Sequence, residues 1–342
     1  MNVFILGVNG FIGSSLLEAC LLKKDWHIVG IDLEEDKIRP FLSHPRFLFR
    51  HGDMCLETQW VEEQIAACDV VMPLAAIADP ALYVSDPLRV FHLDFEANLP
   101  LVRACVRHKK RLLFPSTSEV YGMSTDTPFK EDTSPLTVGP ISKQRWIYSA
   151  SKQLLDRVIF AHGEKDGLDY TIFRPFNWIG FRQDSIDLME GGRGRVIVQM
   201  LGNIIRGKNI QIVDGGTQRR CFTDIEDAIE ALLLMLENPE KSSGQIFNVG
   251  NPDNDFSIAD LGKQLLSIVQ EHPLCPPQAL TVQLENVSST ERFGKAYQDI
   301  QARIPSISKI TETLNWHPKT CLKESLKGIV DAHLKRLFPE KV

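Results

Sequence analysis

The sequence lacks the features that direct a protein to a membrane, an oxidising compartment or a nucleic acid. Its seven cysteines are an odd number without a CxxC pair, which favours reduced thiols in the cytoplasm. No apolar run approaches the roughly 20 residues that span a bilayer. The net charge of −6 gives no basic field to attract nucleic acid or an anionic membrane. These absences predict a cytoplasmic globular protein without a nucleic-acid partner or membrane insertion.

Metal-binding patterns and a leader sequence are missing too. The nine histidines form no HxH or HxxxH pair, so we predict no metal site. The N-terminal MNVFILGVNG is apolar but has no basic segment and no small-residue cleavage site, so we interpret it as a first strand. A chain of 342 residues suffices for one large α/β domain, or for such a domain with a smaller lobe.

A glycine-rich turn follows the first apolar run. NVFIL leads into GVNGFIG, where Gly7, Gly10 and Gly13 surround Phe11 and Ile12, and a helical pattern comes next. The three glycines suit a tight turn, the approach of a pyrophosphate and close helix packing. The phosphates would face N–H groups at the helix N-terminus. The pattern predicts a dinucleotide site; the alternative is a glycine turn that binds nothing.

The following strands extend this prediction. HIVGID ends at Asp32, an acid that can accept hydrogen bonds from both ribose hydroxyls and repel a 2′-phosphate, which favours NAD over NADP; a solvated loop carboxylate is the alternative. RFLFR leads to Asp53 and Met54, where the acid can reach an adenine edge. DVVMPLAAIA is a near-continuous apolar run that ends in small residues, among them Ala75 and Ala78. Alternating strands and helices predict a doubly wound parallel sheet of the Rossmann type.

Chemically active side chains follow the fifth strand, RLLFP. It runs into STSEVYG, which supplies Thr117, Ser118 and Glu119, and WIYSASKQLLDR then places Tyr148 and Lys152 four residues apart on one helix face. Tyrosine is a poor base near neutrality because its ordinary pKa is about 10. A nearby ammonium and a positive nicotinamide ring both favour the phenolate, which can then take a hydroxyl proton during hydride transfer. Hydride transfer alone does not explain the glutamate.

The chain resembles the extended short-chain dehydrogenases/reductases that act on nucleotide sugars. More narrowly, it resembles the UDP-glucuronic acid decarboxylase domains of bifunctional polymyxin-resistance enzymes, which serve lipid A modification. The resemblance covers nearly the whole chain, and the stretches that carry it are ILGVNGFIG, DPLRVFHLDFEANL, FPSTSEVYGM, RWIYSASKQLLDRVI, FRPFNWIG, DGGTQRRCFTDI and GKAYQD. Those domains are fused to an N-terminal formyltransferase, whereas this chain begins with its first strand, so we expect a freestanding version.

The resemblance implies that NAD oxidises C4 of UDP-glucuronic acid and that C6 leaves as CO₂. The product is a UDP-4-keto-pentose, either released or reduced onward to UDP-xylose. Tyr148, Lys152 and Ser118 serve the oxidation and the oxyanion, Glu119 serves the decarboxylation, and Arg303 of ARIPS matches the arginine that protonates C5. The family has lysine where this chain has Ile304. The residues implied to contact the substrate are Ala78, Tyr83, Thr117, Ser118, Arg145, Asn177, Arg195, Gln211, Arg220 and Tyr297.

The domain organisation follows from the change in pattern after FRPFNWIG. We expect an NAD-binding domain over 1–177 and a smaller, mainly substrate-binding C-terminal lobe over 178–342, with some segments returning to the first domain. The segment 190–195 can be a lid whose Arg195 reaches phosphate, or a simple loop. By resemblance, helices near 92–108 and 146–163 form a homodimer or a higher homo-oligomer.

Two other functions remain open from the sequence. One is a nucleotide-sugar epimerase or 4,6-dehydratase on the same scaffold, although dehydratases generally place an Asp-Glu pair where this chain has Ser118 and Glu119. The other is a non-catalytic dinucleotide sensor, although such proteins typically lose the tyrosine or the lysine that this chain keeps as Tyr148 and Lys152.

Overall fold

The computed structural model describes residues 1–184, 186, 194–289, 298 and 300–339. The strands, in chain order, are β1 (Asn2–Leu6), β2 (His27–Asp32), β3 (Phe47–His51), β4 (Val70–Pro73), β5 (Arg111–Pro115), β6 (Tyr170–Pro175), β7 (Trp178–Ile179), β8 (Ile210–Val213), β9 (Arg219–Cys221), β10 (Thr223–Asp224), β11 (Gln245–Val249), β12 (Asp255–Ser257), β13 (Leu284–Val287) and β14 (Ala302–Arg303).

The helices connect these strands. They are α1 (Phe11–Lys23), α2 (Thr58–Ala67), α3 (Pro80–Ser85), α4 (Pro87–Phe91), α5 (Asn98–His108), α6 (Trp146–Asp166), α7 (Val196–Ile205), α8 (Ile225–Glu237), α9 (Pro239–Ser242), α10 (Ile258–Gln270), α11 (Ser308–Leu314) and α12 (Leu322–Leu337). A π-helical turn over His92–Glu96 joins α4 to α5. Among the described residues, no helix combines the length and the hydropathy needed to cross a membrane.

The main sheet is parallel throughout. Within the described chain it has seven strands in the order β11-β6-β5-β4-β1-β2-β3. One face packs against α1, α8 and α11, and the other packs against α2, α5 and α6. Because both faces are covered, β1, β4 and β5 are apolar along almost their whole length. The predicted doubly wound Rossmann-type fold is confirmed.

A smaller lobe is built around α7, α10 and α12, which share a separate apolar core. Its short strands form pairs and a three-stranded sheet, β12-β9-β14, beside the carboxyl ends of the main sheet. β11 comes from the second half of the sequence but lies in the main sheet next to β6. The lobe therefore faces the edge where the chain after β1, β4 and β5 emerges, which is where open α/β sheets bind ligands.

Candidate active site

The glycine turn after β1 leaves no room for side chains. Gly7 has a φ of +86°, and a Cβ placed there would lie 2.6 Å from the backbone nitrogen of Ala75. A Cβ on Gly13 would lie 2.4 Å from the carbonyl oxygen of Gly7. α1 begins at Phe11, directly after Gly10, so its N-terminal amides open onto the turn. This cradle suits a dinucleotide pyrophosphate that approaches the backbone closely.

Asp32 at the end of β2 is held against the same turn. Its Oδ2 atom accepts a hydrogen bond from the backbone N–H of Asn9 at 2.8 Å. The Asn9 side chain in turn accepts from the backbone N–H of Lys37, also at 2.8 Å. Partial burial raises the pKa of Asp32, although the surrounding backbone N–H groups oppose that rise. A carboxylate fixed beside the phosphate cradle is the arrangement expected for a ribose acceptor.

A cavity of about 520 Å³ opens beside this turn and receives residues from both lobes. It is lined by all five predicted catalytic residues and by nine of the ten predicted substrate residues. The predicted residues that line it are Gly7, Gly10, Phe11, Ile12, Gly13, Ala78, Tyr83, Thr117, Ser118, Glu119, Arg145, Tyr148, Lys152, Asn177, Arg195, Gln211, Arg220 and Arg303.

Other predicted residues lie elsewhere. Asp32, Asp53, Met54 and Ala75 do not line this cavity. Asp53 accepts a hydrogen bond from the backbone N–H of Cys55 at 2.8 Å, and Met54 is buried in the apolar core on the α2 side of the sheet. Ala75 contacts the Gly7 turn through its backbone. Tyr297 falls outside the described residues, as does most of the 190–195 segment.

Tyr148 and Lys152 lie in the first two turns of α6, where both side chains are buried. The ring of Tyr148 stacks on that of Tyr83, with centroids 4.6 Å apart and planes 9° from parallel. Lys152 Nζ donates to the carbonyl oxygen of Pro115 at 3.1 Å and lies 3.4 Å from Asp94 Oδ1. Burial raises the pKa of Tyr148, and the carboxylates of Asp94 and Glu119 raise it further. The phenol is therefore protonated in the ligand-free protein.

Glu119 lies between two arginines from distant parts of the sequence. Its Oε2 atom accepts from Arg145 Nη2 at 2.6 Å, and its Oε1 atom lies 3.0 Å from Arg303 Nη2. Burial alone would raise the pKa of Glu119, but the charges of Arg145, Arg303 and Arg220 outweigh it and lower the pKa. Glu119 is therefore an anion at neutral pH.

The two arginines are held by their own neighbours. Arg145 precedes α6, donates through Nη1 to the carbonyl oxygen of Gln298 at 2.8 Å, and lies 4.7 Å over the ring of Trp146. Arg303 lies on β14, which pairs in parallel with β9 so that Arg303 is opposite Arg220. The smaller lobe thus brings the guanidinium groups of Arg303 and Arg220 close to Glu119, at the carboxyl end of β5.

Sequence reasoning missed two buried acids behind the site. Asp94, on the π-helical turn, pairs with Lys152. Asp156 accepts from Ser116 Oγ at 2.7 Å and lies 3.3 Å from Arg174 Nη2. Asp156 follows Lys152 by four residues, so the helical period was a signal that could have found it. Asp94 stands between Leu93 and Phe95, and no spacing to another functional residue marks it in the sequence. No group of three or more potential metal ligands occurs in the described part of the chain.

Residues 3–250 match the NAD dependent epimerase/dehydratase family. The chain belongs to this family. Membership in an NAD dependent family confirms the predicted cofactor, and the glycine cradle and Asp32 described above fit it. The Tyr148–Lys152 pair and the cavity are thus parts of an NAD-dependent enzyme of the epimerase/dehydratase type.

Solved structures agree with this assignment. The chain is 45% identical to the PbgP3 protein from Burkholderia pseudomallei, covering 99% of this chain and 98% of that one, with a TM-score of 0.89. It is 25% identical to a UDP-glucuronic acid 4-epimerase from Bacillus cereus solved with UDP-glucuronic acid and NAD, covering 98% and 100%, with a TM-score of 0.82. A dTDP-glucose 4,6-dehydratase from Bacillus anthracis, at 19% identity, coverage of 99% and 98% and a TM-score of 0.78, shares the fold.

Proposed function

We propose that the protein catalyses NAD-dependent oxidative decarboxylation of UDP-glucuronic acid to a UDP-4-keto-pentose. One observation carries this proposal: Glu119 is held between Arg145 and Arg303 at the cavity wall that also presents Tyr148. A neutral sugar needs no such cluster. A uronic acid brings a carboxylate that a guanidinium can bind with two hydrogen bonds.

The first step is the oxidation of the C4 hydroxyl. NAD⁺ bound at the glycine turn supplies the hydride acceptor for this carbon. Tyr148 takes the hydroxyl proton, and the C4 carbinol becomes a ketone. Lys152, fixed by Pro115 and Asp94, supplies positive charge that stabilises the phenolate form.

The second step breaks the bond between C5 and C6. The ketone at C4 makes the C6 carboxylate part of a β-keto acid, so CO₂ can leave while the electron pair forms a C4 enolate. Ser118 and the newly protonated Tyr148, which both line the cavity, would donate hydrogen bonds to this oxyanion. Protonation at C5 then gives the 4-keto pentose.

The charge state of Glu119 narrows its role. Because the Glu119 carboxylate carries no proton at neutral pH in the protein without substrate, we assign the C5 proton to the side of Arg303, either to the guanidinium or to a water bound to it. Glu119 instead orients Arg145 and Arg303 and offsets part of their charge. If Arg145 and Arg303 acted with their full positive charge, they would bind the substrate carboxylate more tightly than the transition state, because the carboxylate loses its charge as CO₂ forms. Such binding would slow the reaction.

The UDP group is assigned to the smaller lobe. Gln211 and Arg220 line the cavity there, as does Arg195 directly before α7, and Asn177 lines it just before β7. Arg220 is fixed by donating through Nη1 to the carbonyl oxygen of Ile300 at 2.7 Å. These polar and cationic groups suit a uracil ring and a diphosphate, which supports a nucleotide-sugar substrate.

A second candidate is 4-epimerisation of the same sugar. It is favoured by the similarity to the UDP-glucuronic acid 4-epimerase from Bacillus cereus. An epimerase also needs a carboxylate-binding arginine, but it must return the hydride and keep C6. The fate of C6 therefore separates the two candidates.

The test follows UDP-glucuronic acid labelled with ¹³C at C6, incubated with NAD⁺ and the purified protein. We expect labelled CO₂ and a UDP-pentose product, with NADH accumulating if the keto sugar is released. Tyr148→Phe should lower the rate by roughly 10²- to 10⁴-fold because the base is lost, and UDP-glucose should yield no CO₂. A labelled UDP-galacturonic acid product would establish the epimerase, and no turnover of any kind would refute both candidates.

A further inference from the structure

A second charged pair lies directly behind the proposed base. Asp94 is fully buried, Lys152 is 1% exposed, and their Oδ1 and Nζ atoms are 3.4 Å apart. The other oxygen of Asp94 accepts a hydrogen bond from the backbone N–H of Ile77 at 3.1 Å. A carboxylate held on both sides in the protein interior is costly to keep charged, so its presence needs an explanation.

The local backbone explains how Asp94 reaches this position. It lies within the π-helical turn His92–Glu96, between α4 and α5, where the helix is widened by one residue. This turn packs against α6, and Asn98 donates to the carbonyl oxygen of Leu93 at 2.7 Å to close it. π-Helical turns are frequent at functional sites because they direct one side chain out of the regular helical register. Here the redirected side chain is Asp94.

Several charged or ionisable groups surround Tyr148. Lys152 comes from its own helix, Asp94 from the π-helical turn, Glu119 from the segment after β5, and Tyr83 from α3. Arg195, at the start of α7, lowers the pKa of Tyr148, as does a hydrogen bond with Thr117. Glu119 is neutralised by its own arginines. Burial raises the pKa of Asp94, while the charge of Lys152 and the backbone N–H of Ile77 oppose that rise. The counter-charge of the Asp94 carboxylate is thus the same lysine that Tyr148 depends on.

We propose that Asp94 is a positioning residue that sets the pH range in which Tyr148 acts as a base, by fixing Lys152 and cancelling part of its positive charge. This rests on the role given to Tyr148 under the proposed function. With Lys152 partly neutralised, the phenolate forms only when further positive charge arrives with the oxidised cofactor. Tyr148 therefore acts as a base only in the NAD⁺ complex, in which the hydroxyl can be oxidised.

The test is Asp94→Asn, which keeps the shape and can still accept from Ile77. Lys152 retains its bond to Pro115 and the field of buried Asp156. Removing the negative charge favours the phenolate. We expect the acidic limb of the kcat/KM profile to move to lower pH. On that limb, kcat/KM as a fraction of its maximum should be roughly three- to tenfold higher in Asp94→Asn than in the parent.

A second readout does not depend on turnover. The chain has only five tyrosines, so ¹³C labelling at the phenolic carbon with Tyr148→Phe as the assignment variant reports the ionisation of Tyr148 alone. In the NAD⁺ complex the Tyr148 signal should titrate at lower pH in Asp94→Asn than in the parent. Asp227→Asn is the matched control, because Asp227 is also buried but accepts from the backbone N–H of Thr320 at 2.9 Å, outside the cavity.

The outcomes separate this proposal from the proposed function. If UDP-glucuronic acid is not turned over but the Tyr148 titration shifts in Asp94→Asn, the function is wrong and the role of Asp94 stands. If Tyr148 titrates at the same pH in the parent and in Asp94→Asn, or if both proteins unfold before Tyr148 titrates, the role of Asp94 is refuted whatever the substrate. A Tyr148 titration that moves to higher pH in Asp94→Asn also refutes the proposal. Asp94 would then favour the phenolate by keeping Lys152 charged, and would not oppose it.

Discussion

At the scale of single residues, the site depends on how one glutamate is neutralised. The sequence shows that Glu119 follows β5. It does not show the partners of Glu119, which are Arg145, 26 residues away, and Arg303 on β14. Burial and three arginine charges act on Glu119 in opposite directions, and the charges prevail. A buried ion pair of this kind costs little while complete and much when one partner is removed.

We expect Glu119→Gln to lower the free energy of unfolding at neutral pH by about 3 kcal/mol, because two guanidinium groups lose their buried partner. The folded-state pKa of Glu119 is below its ordinary value. Its contribution is therefore complete above about pH 5 and is lost as the pH falls below about 4.3 and through the folded-state pKa. Urea denaturation of the parent and variant over a pH series should show their stability difference shrinking on acidification.

Glu131→Gln provides a control of opposite sign. Burial raises the pKa of Glu131, even though the backbone N–H of Asn248 donates to its carboxylate. The parent should therefore gain stability relative to Glu131→Gln as the pH falls. A Glu119 difference that stays constant down to pH values where the parent unfolds would show that the carboxylate is not the charged partner described here.

At the scale of elements, long regular segments were predictable and short irregular ones were not. β1, β2 and β5 begin and end where their apolar runs do, because a strand covered on both faces must be apolar throughout. β9, β12 and β14 have two or three residues each, too few for any period to appear, and they form only through long-range pairing. The π-helical turn His92–Glu96 likewise has no sequence pattern of its own, and the sequence predicts an ordinary helix near 92–108.

The same limit applies to the site. Gly7, Gly13, Tyr148 and Lys152 are recognisable by local spacing, because their chemistry needs a turn or one helix face. The ion pair between Asp94 and Lys152 depends on tertiary packing across 58 residues, which spacing alone does not report. Resemblance to known enzymes assigned Glu119 and Arg303 to one site, but their contact across the two lobes was not predicted.

The glycine turn gives a test at this scale. We expect Gly13→Ala to lower stability by about 1–3 kcal/mol and to weaken NAD⁺ binding, because backbone atoms of Gly7 and Val8 lie 2.4–2.8 Å from the new Cβ. Chemical denaturation and NAD⁺ titration measure the two effects. Gly328→Ala, in α12 with no atom within 4 Å of its Cβ, should instead stabilise by about 0.5–1 kcal/mol. Unchanged NAD⁺ affinity in Gly13→Ala would contradict the cradle.

At the scale of the whole molecule, the outer surface of α6 is the surface at which we expect two subunits to meet. Two large apolar residues on this helix, Leu154 and Phe160, are 47% and 49% exposed. If the homodimer expected by resemblance forms through the α5 and α6 region, we expect it to cover both side chains and so remove apolar surface from water.

We therefore expect the parent to have twice the chain mass in light scattering after gel filtration, and the double variant Leu154→Glu with Phe160→Glu to have the mass of one chain. Leu22→Glu, at a 72% exposed position on α1, is the control and should keep the mass of the parent. A parent that already has the mass of one chain, or a double variant that keeps twice that mass, would contradict the dimer through α6.

The place of β11 beside β6 also has a consequence for synthesis on the ribosome. β6 is complete at Pro175, but its outer neighbour begins only at Gln245. At about 5–20 residues per second, translation of the intervening chain leaves that strand edge bare for about 4–14 s. A bare, apolar strand edge pairs readily with another chain. Several ribosomes on one message hold such chains close together, so we expect a chaperone to bind the chain at the tunnel exit until β11 emerges.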